Sequence, residues 1–454
     1  MLLIKKTLQT MRASVLAGVS AVGLIAATNA LAENESVLAI EHWQTKNGAD
    51  VYFYPTENLP MVDVRVSFDA GSVRDPETQQ GTAALTRALL TEGSGEKTAA
   101  QMAQGFAELG AQLNTNIALE NVTLRLRSLS QPQYLEPAVD LFNQTLTKPA
   151  FKEDTFAREL RRQKQSVVAR GQSPRALATD GLREAMFADH PYANLTAGDE
   201  QSLENISQAD IQAFYEQYYV ARNADVVIVG DLTRSAASEL AEQVLEGLPM
   251  GESAPSLPKP VMPEAPQVKH IAFPSEQSTV YVAYAGVERL SPDYFPLYVG
   301  NHILGGSGFS SRLNAELRQK RGLAYSVGSF LMPLREGGIW AMSIQTRNDA
   351  VDEAIDLLRD EFAQFREDGP TQTELENSIA NIRGGFPLRL DSNSKIVGQI
   401  GSLAFFGLPT DYFDRYLDDI QAVDQAAIMD AFQTHIDPSR YSIVVVGPQA
   451  PKTE

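Results

Sequence analysis

Five prolines, Pro255, Pro258, Pro260, Pro263 and Pro266, crowd into residues 251–266. Each fixes its own φ and removes a backbone donor, so neither a helix nor an interior strand can run through them. The segment reads as a semi-rigid extended linker. A chain of 454 residues exceeds what one hydrophobic core usually serves, and this is where it divides. The expected organisation is a first domain over 33–250, a linker over 251–267 and a second domain over 268–454.

The two parts repeat one plan. Each opens with an alternating strand, at 62–68 and 280–285, followed by a helix. Each has a long charged helix in its middle, at 153–170 and 372–383, then a helix and a Pro/Gly turn, His190-Pro191-Tyr192 and Gly407-Leu408-Pro409. Each closes with a helix and a buried strand ending at glycine, at 211–219 with 224–230 and at 427–435 with 441–447. Residues 122–127 alternate apolar and polar, the pattern of a strand with one buried face. Strands cluster and helices come in runs. The expected fold class is therefore α+β: two homologous domains, each a largely antiparallel sheet with helices packed on one face.

The first 32 residues differ from the rest. Lys5, Lys6 and Arg12 precede an apolar run over 13–27, and Ala30-Leu31-Ala32 has the small-x-small form of a signal-peptidase site. The run is shorter than the ~20 residues that span a bilayer, and the reading is a cleaved secretory signal with no membrane span remaining. Cleavage leaves 35 of the 38 basic residues against 57 acidic ones, a net charge of −22 in place of −19. Such a surface repels nucleic acid. The chain has no cysteine, which excludes disulfides, thiolate metal sites and cysteine catalysis. The expected location is the periplasm.

The segment 305–325 is the richest in chemistry. Gly305-Gly306-Ser307-Gly308 predicts a mobile turn. Ser310 suits the N-cap of a helix bearing Leu313 and Leu317, and Gly322 suits its C-terminal stop before a strand over 323–330. Arg318 then falls in the last helical turn and Tyr325 at the start of the strand, near enough to meet. Arg318 is either a two-pronged donor to carbonyls or a helix-end cation in an exposed salt bridge. Tyr325 is either a hydroxyl donor to an oxyanion or a half-buried strand aromatic.

The run Glu316-Leu317-Arg318, Arg321-Gly322-Leu323-Ala324-Tyr325 resembles the second-half signature of the pitrilysin/insulinase metallopeptidases. The likeness extends over the mature chain. The resemblance implies that Arg318 and Tyr325 bind the substrate backbone and support the tetrahedral intermediate, with Gly305, Gly306 and Gly308 in the substrate-binding segment. Peptide-cleaving members carry H-x-x-E-H on the first helix of the first half, two zinc-binding imidazoles flanking a water-polarising glutamate. Here Ala84 and Ala88 stand at the histidine positions and Arg87 at the glutamate position. On the helix that carries the third ligand, Lys164 and Gln165 stand near the expected glutamate. The five histidines, His42, His190, His270, His302 and His435, form no local pair. There is no nucleophile elbow, phosphate loop or dinucleotide motif.

The resemblance therefore implies a chain that holds no cofactor itself. It would work with a paralogous H-x-x-E-H-bearing subunit that supplies zinc, and act on unfolded peptides that add to a sheet edge such as 111–118. A catalytically inert peptide-binding or scaffold body is the alternative.

Overall fold

The structure, a computed structural model, describes residues 36–452; the expected signal at 1–32 lies outside them. Alternation sorts the side chains of each strand to two faces, and helices pack on both faces of each sheet's central strands. The first sheet runs Glu41–Gln44, Asp50–Pro55, Ala224–Gly230, Met61–Phe68, Val122–Leu129, Gln112–Ile117. The second runs Gln267–Ala272, Tyr441–Gly447, Gln277–Ala285, Gly338–Arg347, Ala324–Pro333. Apart from the extra strand Glu41–Gln44, the two orders are the same. In each, the closing strand lies parallel to the half's opening strand and antiparallel to the next one. Two further antiparallel strands lead out to a free edge. The sequence repeat is thus a repeat of topology, and the fold is α+β with two mostly antiparallel sheets.

One face of each sheet packs on its own half's helices: Val62, Val64, Val66 and Phe68 in the first core, Val280, Val282 and Tyr284 in the second. The other face receives a helix from the opposite half. Pro174–Phe187 lies on Gln277–Ala285 and Tyr441–Gly447, burying Ala178, Leu182 and Met186 against Tyr281, Ala283, Val444 and Val446. Asn393–Phe406 lies on Met61–Phe68 and Ala224–Gly230. Each exchanged helix carries a glycine at the crossing. A Cβ on Gly181 would stand 3.0 Å from Ile271, and one on Gly401 would stand 2.2 Å from the Arg65 guanidinium.

The two exchanged contacts differ in chemistry. The second sheet's is apolar. The first sheet's is charged: Arg65 donates to the Gly398 carbonyl and Arg125 to the Ser394 carbonyl. Burial, with Arg125 nearby, lowers the Arg65 pKa to about 10. Residues 251–263 carry no regular element. His190 fastens to this segment, its Nε2 donating to the Pro258 carbonyl while Nδ1 accepts from the Tyr192 amide. Among the described residues no helix is long and apolar enough to cross a membrane.

Candidate functional site

In the first half, Thr82–Leu90 is the helix that carries Ala84, Arg87 and Ala88. Its start is fixed from several directions. Gly81 takes φ +99°, open to glycine, and both Asp75 oxygens accept amides, from Gly81 at 2.8 Å and Ala83 at 2.7 Å. Burial pushes the Asp75 pKa up to about 8 against these two bonds. Leu85 and Leu89 anchor the opposite face in the core. Gln163, from the helix Glu153–Arg170, donates to the carbonyls of Gly81 and Ala197.

Ala84, Arg87 and Ala88 face a cleft of about 440 Å³ together with Thr91, Glu92, Ile117, Glu159, Arg162 and Ser166. Lys164 and Gln165, which stand near the glutamate expected from the resemblance, are flanked by the residues of this helix that line the cleft, Glu159, Arg162, Gln163 and Ser166. Lys164 points away to Glu204, and Gln165 is exposed.

Zinc does not fit these residues. No imidazole reaches the cleft, and its carboxylates are committed to arginines: Glu159, 4% exposed, to Arg158 and Arg162, and Glu92 to Arg158. Arg87 brings a guanidinium where a dication would need donors. Among the described residues no three metal-binding side chains cluster. The five histidines are bound elsewhere: His42 to Asp50, His270 to the Gly447 carbonyl, His302 to Ser378 and Asn381, His435 to Asp293, and His190 as above.

In the second half, Arg318 and Tyr325 come together. Asn314–Lys320 is a π-helical stretch, capped weakly by Ser311, whose hydroxyl accepts the Asn314 amide; Ser310 instead donates to Ser307. Gly322 ends it at φ +65°, its amide on the Arg318 carbonyl and the Leu323 amide on that of Leu317. The chain then enters Ala324–Pro333, with a bulge at Tyr325 between Ala324 and Ser326. A bulge re-aims a side chain, and Tyr325 is 75% exposed on the edge strand of its sheet. The Arg318 guanidinium lies 5.4 Å from the Tyr325 ring centroid and 4.8 Å from that of Phe309, itself 70% exposed. Arg318 forms no ion pair among the described residues, and Tyr325 is not half-buried, so neither structural alternative describes them.

The glycines divide in role. Gly305 is buried, and a Cβ there would meet the Ser329 amide nitrogen at 2.2 Å. Gly306 lies against Asn301. Gly308, at φ +64° with open space around it, begins the turn that delivers Phe309 to Arg318. The segment read as a mobile turn is, at Gly305, a tight contact between helix and sheet.

Family models match both halves: one described as Insulinase (Peptidase family M16) over residues 54–200, and one described as Peptidase M16 inactive domain over 205–382. A crystal structure of a peptidase M16 inactive domain from Pseudomonas fluorescens is 36% identical, covering 92% of this chain and 100% of that one, with a TM-score of 0.87. A protein from Helicobacter pylori named non-peptidase homolog YmxG is 26% identical over 90% of this chain and 94% of its own length. An uncharacterized zinc protease from Bacillus subtilis is 20% identical over 90% of this chain and 98% of its own. The chain belongs to the insulinase family, peptidase family M16, and among the described residues its first half holds no set of zinc-binding side chains.

Proposed function

We propose that this protein is the metal-free subunit of a periplasmic two-subunit peptidase, in which a paralogous H-x-x-E-H-bearing partner supplies zinc. This chain contributes Arg318 and Tyr325 to hydrolysis of unfolded peptides. The observation that carries the reading is that Arg318, in Asn314–Lys320, stands beside Tyr325 on the exposed strand bulge and forms no ion pair among the described residues. The Arg318 fork is suited to hold the substrate's backbone carbonyls. The Tyr325 hydroxyl is suited to donate to the oxyanion of the tetrahedral intermediate. The partner's metal would supply the activated water.

Mixing the mature chain with its paralogue and an unfolded peptide tests this directly. Turnover is expected only in the mixture and only without chelator, and removing the Tyr325 hydroxyl should cost on the order of 100-fold in kcat. Unchanged turnover by the Arg318→Ala and Tyr325→Phe variants would overturn the assignment. A second reading, an inert peptide-binding body, is favoured by the cleft beside the open edge Gln112–Ile117 and agrees with the non-peptidase name of the Helicobacter relative. Peptide binding without cleavage in every mixture would select it.

A further inference from the structure

The cleft that cannot hold zinc is not filled in. Of its charged groups, Glu92 and Glu159 pair with arginines, Arg162 with Glu159, and Arg170 with Asp180. Arg87 alone is left over. Its one hydrogen bond runs from Nη1 to the Thr115 hydroxyl at 2.9 Å, and its Nε is buried with no partner. Burial lowers its pKa, Arg162 adds to the drop, and Glu159, itself paired with Arg158 and Arg162, opposes it without bonding Arg87. Within electrostatic reach lies Tyr219, 1% exposed, whose hydroxyl is also unpartnered. The orphaned Nε of Arg87, a residue that lines the cleft, marks a place where an acceptor is missing.

The strand beside it says what form the acceptor takes. Gln112–Ile117 is the free edge of the first sheet, paired only to Val122–Leu129. Thr115 holds Arg87, Ile117 lines the cleft, and Leu113 and Thr115 line a second hollow with Leu90, Met102 and Phe106. Side chains on one face of an added strand recur every second residue. A peptide laid on this edge would therefore present one side chain to the hollow beside Leu90, Met102 and Phe106 and its neighbour on that face to Arg87.

We infer that the vacated zinc slot is an anion seat: Arg87 receives a carboxylate of an extended peptide bound along Gln112–Ile117, with an apolar residue two positions away in the adjoining hollow. The inference takes from the proposed function only that the ligand is an extended peptide. It needs neither the partner subunit nor Arg318 and Tyr325.

The test is fluorescence anisotropy on the mature full-length protein with three labelled unstructured peptides. Each carries one leucine: the first has a free C-terminal carboxylate, the second is its amide, and the third is the amide with an internal glutamate two residues from the leucine. At least one acid is expected to bind tenfold or more tighter than the neutral amide, as a charge-assisted bond to a desolvated guanidinium should. The tighter of the two acids identifies terminal or side-chain carboxylate. Arg87→Gln should erase the preference and Arg87→Lys should keep part of it, both variants being confirmed folded by circular dichroism. The Arg318→Ala/Tyr325→Phe variant should keep the preference whole. Equal affinity for all three peptides, binding of none, or a preference that survives Arg87→Gln would overturn the seat. Those outcomes leave the role of Arg318 and Tyr325 untouched, and loss of turnover in their variants leaves the seat untouched.

Discussion

Gln112–Ile117 ends the first sheet and Ala324–Pro333 ends the second, and each is preceded by a short helix, Ala99–Glu108 in one and Asn314–Lys320 in the other. The first edge is regular in its register, with Leu113, Thr115 and Ile117 turned toward hollows. The second breaks register at Tyr325 and throws that side chain outward beside Arg318. One topology has thus been drawn out into two kinds of surface, one that receives and one that projects. The duplicated scaffold fixes where the chemistry sits, and a handful of edge residues decide what that chemistry is.

The widest separation between the halves should appear in turnover. With the paralogous subunit present, Arg318→Ala and Tyr325→Phe should each lower kcat/KM by on the order of 100-fold. Tyr325 is exposed and Arg318, half-buried, forms no ion pair among the described residues, so melting temperatures should move little. A matching loss of stability would assign them to the fold and erase the distinction.

The next effects concern how each half is held. Gly305→Ala drives a Cβ into the backbone of the second edge strand and should cost about 3 kcal/mol by overpacking. Gly308→Ala meets nothing and should cost about 1 kcal/mol for its left-handed backbone. Equal costs in urea melts would mean that Gly305 does not set the approach of helix to sheet. Between the exchanged helices, Leu182→Ala removes core from the apolar contact and should cost about 3 kcal/mol at any salt concentration. Arg125→Ala removes a charged bond to the Ser394 carbonyl from the other contact and should cost about 2 kcal/mol. Reversal of that order would remove the contrast between the two faces.

The smallest effects are in pH. Glu374, which caps a second-half helix, is raised by burial but pulled lower by Arg312, whose two nitrogens bond its oxygens at 2.6 Å, and by the Thr371 amide, to a pKa of about 2. Its folded value lies below the unfolded one, so its contribution is present above about pH 4.3 and is lost as pH falls through 2. With partial exposure discounted this is about 1–2 kcal/mol, and Glu374→Gln should flatten that loss. Asp75, capping the helix of the vacated slot, has the opposite sign. Its folded value is raised to about 8, so its contribution is greatest below about pH 3.9 and declines as pH rises through 8. Asp75→Asn should flatten that decline. Urea melts across pH read both; parallel profiles for the two variants would contradict the assignment.

Much of this was legible in the chain itself. The proline segment and the two closing strands exposed the duplication, because prolines break elements and buried strands have a plain apolar pattern. The alanines at 84 and 88 and the arginine at 87 showed that the chain departs from H-x-x-E-H at the matching positions. The exchange of Pro174–Phe187 and Asn393–Phe406 was not legible: apolar spacing shows that a helix is buried, not on which sheet. Nor was the bulge at Tyr325, since one unpaired residue leaves no periodic trace. Ser310 and Ser311 are chemically identical candidates for a cap, and only the path of the π-helical stretch selects Ser311. That Glu159, Gln163 and Ser166 line the cleft was not legible either, because register on a long helix is set by its contact with Thr82–Leu90. The orphaned Arg87 Nε and Tyr219 hydroxyl emerge only in three dimensions, 132 positions apart in the chain.

Under the proposed role, the first half binds no zinc and the second half supplies what this chain adds to hydrolysis. Metal content of the purified mature chain after equilibration with zinc and removal of free ion tests it most directly, read together with hydrolysis of an unfolded peptide by the chain alone. The account predicts no stoichiometric zinc and no cleavage. One zinc per chain, lost on chelation together with peptidase activity, would contradict it.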